Sequence, residues 1–184
     1  MRISPTTLPG VLLIEPLIHR DSRGSFLETW HQDRYHKAGI GPSFVQDNLS
    51  RSRKGTVRGF HFQEPGAQGK LISTVEGTIL DVAVDVRYGS PHFARWISIE
   101  LSAENRHQLW IPPVFTHCFC VLSEYATVHY KCTDYFAPEY ERTIRWDDPD
   151  IAMNWPISDP ILSERDSTAP SLKDAPALPR HGSA

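Results

Sequence analysis

Apolar residues in this chain come in short runs, many alternating with polar ones, and Gly, Pro, Asn and Asp interrupt them at close spacing. Alternation with a period of two marks a strand with two unlike faces. The interruptions are turn chemistry. The pattern predicts strands at 11–18, 25–29, 44–49, 57–63, 70–76, 78–87, 94–101, 107–111, 116–122 and 125–133. It predicts a helix over about 30–38, in "WHQDRYHKA", and a second short one after Pro170. Many short strands with little helix point to an all-β sandwich or barrel. No fixed-period repeat or linker divides residues 1–184, so one domain is expected, with "KDAPALPRHGSA" (173–184) as a loosely held tail.

Two strands alternate cleanly. In "ILDVAVDVR", Leu80, Val82, Val84 and Val86 share one face, and Asp81, Ala83, Asp85 and Arg87 the other. A face with two acids and an arginine either meets solvent or lines a polar cavity. In "YATVHYKCT", Ala126, Val128, Tyr130 and Cys132 form the apolar face, which turns Tyr130 inward and His129 out to the surface.

Composition narrows the function classes. The chain has 184 residues, enough for one sizeable core, with 40% hydrophobic and 22% charged positions. A net charge of −3 argues against a nucleic-acid binder. The one basic cluster, Arg51, Arg53 and Lys54, reads as a solvated loop. Three cysteines, Cys118, Cys120 and Cys132, are an odd number in a chain of this size and read as buried thiols rather than a disulfide framework. The run "VLLI" at 11–14 is too short for a membrane span or a signal core, so a cytoplasmic protein is expected. "NLS" at 48–50 fits a glycosylation sequon, which means little without an export signal.

The stretch "RGFHFQEPGAQGKL" (58–71) concentrates the candidate chemistry. Gly66, Gly69 and Lys70 do not make a phosphate loop, which needs four residues between its glycines and a Ser or Thr after the lysine. They read as a turn, with Lys70 opening the next strand. His61, followed much later by His117 in "IPPVFTH", has the outline of a cupin metal site. Gln63 stands where a second histidine would be needed, and Glu64 is badly placed, so no metal is expected. Without further context, His61 reads as a hydrogen-bonded core histidine and Asp166 in "LSERD" as part of a helix cap.

Taken together, the blocks "DSRGSFLE" (21–28), "FVQDNLSRSRKGTVRGFHFQ" (44–63), "GKL" (69–71), "LDVAVDVRYGSP" (80–91), "LSAENRHQLWIPPVFTHCF" (101–119), "LSEYATVHYKCTDYFAP" (122–138) and "LSERDSTAP" (162–170) resemble the dTDP-4-dehydrorhamnose 3,5-epimerase family. The resemblance runs over about 9–172. It implies a cupin-type jelly roll, no cofactor and no metal, a homodimer formed by sheet exchange near the N-terminus, and a dTDP-4-keto-6-deoxysugar substrate. It implies epimerisation beside the C4 ketone. His61 would be the base, paired with Asp166, Tyr130 the acid on the opposite face, and Lys70 the charge for the enolate oxygen. It also implies that Arg23, Glu28, Gln46, Asp47, Asn48, Arg58, His117, Glu141 and Arg165 hold the substrate, with Phe136 stacking on thymine. Structural ion pairing is the alternative for Arg23, Glu28 and Arg58. The chain departs from the family's "GFAHGF" at Val114 and Cys118, which are expected to reshape the floor of the sugar site beside His117. Two alternatives stay open: inversion of C3 or C5 alone, and a non-catalytic sugar-nucleotide-binding cupin.

Overall fold

The structure, a computed structural model, describes residues 1–182. Thirteen strands follow in chain order: β1 (Arg2–Pro5), β2 (Leu12–Glu15), β3 (Ile18–Asp21), β4 (Gly24–Leu27), β5 (Gln46–Arg53), β6 (Val57–Gln63), β7 (Lys70–Glu76), β8 (Thr78–Asp85), β9 (Trp96–Ser102), β10 (Gln108–Ile111), β11 (Phe115–Val121), β12 (Tyr125–Cys132) and β13 (Glu141–Thr143). Two short α-helices join them, α1 (Gln32–Lys37) and α2 (Glu164–Ser167). Six strands form one sheet in the order β1-β2-β10-β7-β12-β5, and five form a second in the order β13-β6-β11-β8-β9. The strands β3 and β4 make a separate ribbon. Neighbouring strands within the sheets and the ribbon pair antiparallel, giving the all-β jelly roll expected.

The five-stranded sheet is covered on both faces and the six-stranded sheet on its inner face and part of its outer one, because the apolar positions make three clusters, while Asp47, Leu49 and Arg51 of β5 stay exposed. Ile72, Leu109 and Val128 meet Ile79, Ala83, Phe119 and Val121 between the sheets. Outside the six-stranded sheet, Leu71 and Trp110 pack against Tyr35 of α1 and Ile40. Outside the five-stranded sheet, Val82, Val84, Cys118, Phe60 and Phe62 pack against Leu172 and the partly buried Trp146 and Trp155. Each fully buried side chain of this size contributes about 1.5–3 kcal/mol. This double cover explains why all seven residues of β11 are buried. All three cysteines are free and buried.

Several boundaries differ from the sequence pattern. The segment 11–18 is two strands, broken around Pro16, which lacks the N–H a continuing ladder needs. Arg51 and Arg53 belong to β5 rather than to a loop, and Arg51 pairs with Glu76 at 3.1 Å. Strand β1 is too short and polar to stand out in the sequence. The helix after Pro170 is a single 3-10 turn, Leu172–Asp174, and the short helix α2 precedes it. The tail is docked as far as it is described. Tyr88 N–H donates to Pro179 O at 2.8 Å and His181 N–H to Tyr88 O at 3.0 Å, while Leu178 packs on the outer cluster. Ser183 and Ala184 lie outside the described residues.

Candidate active site

A cavity of about 370 Å³ opens between the sheets, a size suited to a small organic ligand. Strand periodicity places most of its lining. On β5, Gln46, Asn48 and Ser50 face inward, and Asp47 faces outward to Lys131 Nζ (2.7 Å) and His129 (3.4 Å). On β12, Tyr130 points into the cavity, opposite β6 and β11. His129 sits on the outer face but is only half exposed.

Strand β6 breaks the period, and the break makes the site. His61 pairs with His117 of β11, and Arg58 pairs with Phe119, so three steps on β6 match two on β11. One extra residue in a strand is a β-bulge, which re-aims the side chains beside it. Arg58 and His61 would lie on opposite faces of a regular strand, yet both line the cavity.

His61 Nε2 lies 2.6 Å from Asp166 Oδ1. Asp166 is the third residue of α2, whose cap Ser163 Oγ accepts from Asp166 N–H at 3.1 Å. Burial opposes ionisation of Asp166, but the contacts with His61 and Ser163 outweigh it and hold the carboxyl below its ordinary value. Asp166 is thus inside a helix-capping segment and at the site at once.

Lys70 is the first residue of β7 and is buried, and burial pushes its ammonium below the usual lysine value. Burial pushes the Tyr130 phenol up. His117 Nε2 lies 2.6 Å from Asp81 Oδ1, and burial pushes the Asp81 carboxyl up although His117 pulls against it. The acid-bearing face of β8 therefore backs a polar cavity. Asp81 was not among the sequence candidates, and the alternation of β8 is the signal that could have found it.

The rest of the lining is neutral polar and aromatic, with Arg58, Arg165 and Glu141 as its charges. Arg58 Nε donates to Ser52 Oγ at 3.0 Å and makes no ion pair among the described residues, so its charge is open to an anion. Arg165 is ion-paired with Glu141 at the rim. Phe136 sits on the loop after β12, and its N–H donates to Gln46 Oε1 at 2.9 Å. Among the described residues, no three His, Cys, Asp or Glu side chains group so as to hold a metal ion. No described helix is long and apolar enough to cross a membrane.

Of the sequence candidates, His61, Lys70, Tyr130, Arg58, His117, Gln46, Asn48, Phe136, Glu141 and Arg165 meet at this cavity, with Asp166 behind His61. Arg23 and Glu28 do not. Arg23 sits at the turn of the β3–β4 ribbon, paired with Asp21 at 2.7 Å, and Glu28 pairs with Arg34. Asp47 is turned away by the strand period. The expected effect of Val114 and Cys118 on the cavity floor is corrected too: neither lines it. Cys118 faces the outer cluster, and Val114 holds a left-handed turn (φ +71°) that suits glycine better. Ser50, Gln63 and Gln68 also border the cavity without being among the sequence candidates, because neutral polar side chains carry no distinctive sequence signal.

A jelly roll with a His–Asp pair, a tyrosine and a buried lysine around one cavity is a cupin-type site built for acid–base chemistry on a polar ligand. The family model described as dTDP-4-dehydrorhamnose 3,5-epimerase matches residues 5–174. The dTDP-4-dehydrorhamnose 3,5-epimerase of Pseudomonas aeruginosa is 48% identical, over 97% of this chain and 100% of that protein. The Legionella pneumophila dTDP-6-deoxy-D-glucose-3,5-epimerase, solved with dTDP-4-keto-L-rhamnose, superposes with a TM-score of 0.94 at 47% identity, covering 98% of each chain. A 4-keto-6-deoxy sugar epimerase from the novobiocin gene cluster of Streptomyces spheroides superposes with a TM-score of 0.94 at 37% identity, covering 98% of this chain and 94% of its own. The chain belongs to the dTDP-4-dehydrorhamnose 3,5-epimerase family, a family of isomerases.

Proposed function

We propose that the cavity binds a dTDP-4-keto-6-deoxyhexose and inverts C3 and C5, the two carbons flanking the C4 ketone. The observation that carries this reading is the His61–Asp166 pair, 2.6 Å apart, in one cavity with Tyr130 and Lys70. Ionised Asp166 accepts the Nε2 proton of His61, which leaves Nδ1 as the base. His61 removes the proton beside the ketone. Lys70 stabilises the charge that develops on the C4 oxygen, in a site where burial strengthens the interaction. Tyr130, on the facing sheet, returns a proton from the other side. Each transfer is internal to enzyme and substrate, so no cofactor is needed. Arg58 and Arg165 suit the diphosphate, and Phe136 suits the base. Identities of 48% and 47% to 3,5-epimerases, against 34% and 36% to a 3'-monoepimerase of Streptomyces bikiniensis, favour inversion of both centres.

The active assembly is a homodimer in which Arg23 and Glu28 reach the nucleotide in the partner's cavity. Their place outside their own cavity supports this, as does a ribbon joined to neither sheet with Phe26 72% exposed. Three free thiols suit the reducing cytoplasm.

The test is incubation with dTDP-4-keto-6-deoxyglucose in heavy water. Deuterium at both C3 and C5 supports the reading, deuterium at one centre makes the protein a monoepimerase, and none makes it a binding protein. His61→Ala should abolish exchange. Tyr130→Phe should still permit exchange while inversion stops.

A further inference from the structure

Residues 134–137 adopt no regular structure, yet they carry the half-exposed Phe136 ring at the cavity mouth. Glutamine side chains hold this loop. Gln63 Oε1 accepts from Ala137 N–H at 2.9 Å, and Gln63 Nε2 donates to Tyr135 O at 3.2 Å and to Gly66 O. Gln68 Nε2 donates to Asp134 O at 2.8 Å. Gln46 Oε1 accepts from Phe136 N–H. Every residue from Asp134 to Ala137 therefore has its backbone bonded to a glutamine amide.

Gln63 and Gln68 are 4% and 7% exposed. Both N–H groups of the Gln63 amide are taken by carbonyls, so it has no donor left for a ligand. The turn beneath it is matched to it. Gly66 has φ +76°, and a Cβ there would stand 3.1 Å from Gln63 Nε2. Gln63 also lies two residues beyond His61 on β6, so one strand carries the base at one end of the cavity and the loop's anchor at the other.

We propose that Gln63 and Gln68 are positioning residues for nucleobase recognition. Their buried amides fix the backbone of residues 134–137, hence the Phe136 ring, and so set affinity for the thymidine nucleotide without acting on the sugar chemistry. This rests on reading Phe136 as the surface on which the base stacks.

Gln63→Glu is the variant to measure. It keeps the size and the acceptor for Ala137 N–H, but turns a carboxylate toward two carbonyl oxygens. Calorimetric titration with dTDP should show binding weakened about tenfold or more. KM for the sugar nucleotide should rise in step, with kcat within about twofold of the native value. A cycle with Phe136→Ala isolates the route: once the ring is gone, Gln63→Glu should weaken dTDP binding little further. Equal weakening in both backgrounds, or a fall in kcat at constant KM, overturns the proposal. If Phe136→Ala weakens dTDP binding and Gln63→Glu does not, the proposal alone fails. If Phe136→Ala leaves dTDP binding unchanged, the reading of Phe136 fails with it. Should thermal unfolding show that Gln63→Glu does not fold, the same cycle with Gln68→Glu decides by the same outcomes.

Discussion

Gly59 lies so close to Cys118 across the β6–β11 pair that a Cβ on Gly59 would stand 2.7 Å from the Cys118 Cα and 2.5 Å from the His117 carbonyl oxygen. Gly59 also has φ +123°, a conformation side chains avoid. The bulge that turns Arg58 and His61 onto one face depends on this residue. Gly59→Ala should cost about 2 kcal/mol or more, since it combines backbone strain with a collision against main chain. Denaturant unfolding measures the loss. The surviving folded protein should show kcat/KM reduced at least as much as its folded fraction.

Lys70 is a buried lysine with no ion pair among the described residues, a placement that costs stability while its ammonium is charged. Lys70→Met should therefore raise the unfolding free energy by about 1 kcal/mol or more while lowering kcat by about 10²-fold or more. The sign of the pH dependence follows from the lowered value. The native state gives up the Lys70 proton at lower pH than the unfolded chain, so the native protein gains stability as pH rises through that window. The advantage of Met should thus be greatest at pH below the lowered value and shrink as pH climbs from there toward 10.5, the ordinary lysine value. Urea unfolding of both proteins at a series of pH values tests this.

Asp166 behaves in the opposite sense. Its carboxyl is held below 3.8, so the charged form stabilises the fold fully above that value, and the contribution is lost as pH falls through the lowered pKa. Asp166→Asn should be less stable than the native protein at pH 7, with the difference narrowing in acid below pH 3.8. It should also lower kcat by about 10²–10⁴-fold, because an amide neither fixes the His61 tautomer nor balances an imidazolium. Stopped-time assays at pH 7 give the second number.

Two inactive chains should rescue each other if Arg23 works in the partner's cavity. Mixed dimers of Arg23→Ala with His61→Ala contain one cavity with an intact base and an intact visiting arginine. Random exchange should restore up to about a quarter of native activity. No recovery after verified exchange would show that Arg23 does not act in the partner's cavity.

Much of the site was legible in "RGFHFQEPGAQGKL". Gly66 (φ +76°) turns the chain between β6 and β7 as expected, and Lys70 does open a strand. Tyr130 faces inward as the alternation of β12 required. The ion-pair alternative describes Arg23 and Glu28 within one chain, and Arg58 escapes it. Cys118 misled, because a family position beside His117 in sequence is on the opposite side of a strand in space.

The sequence by itself determined which segments are strands, which faces are apolar and which residue types are available for proton transfer. Those are local properties of period, turn chemistry and side-chain acidity. Only the tertiary structure decided that Asp166 meets His61 across 105 residues, that a bulge at Gly59 turns Arg58 toward the same cavity, and that Gln63 fastens the loop of Phe136. These depend on register between strands distant in the chain, and register is set by how the two sheets close over a shared core rather than by any one segment.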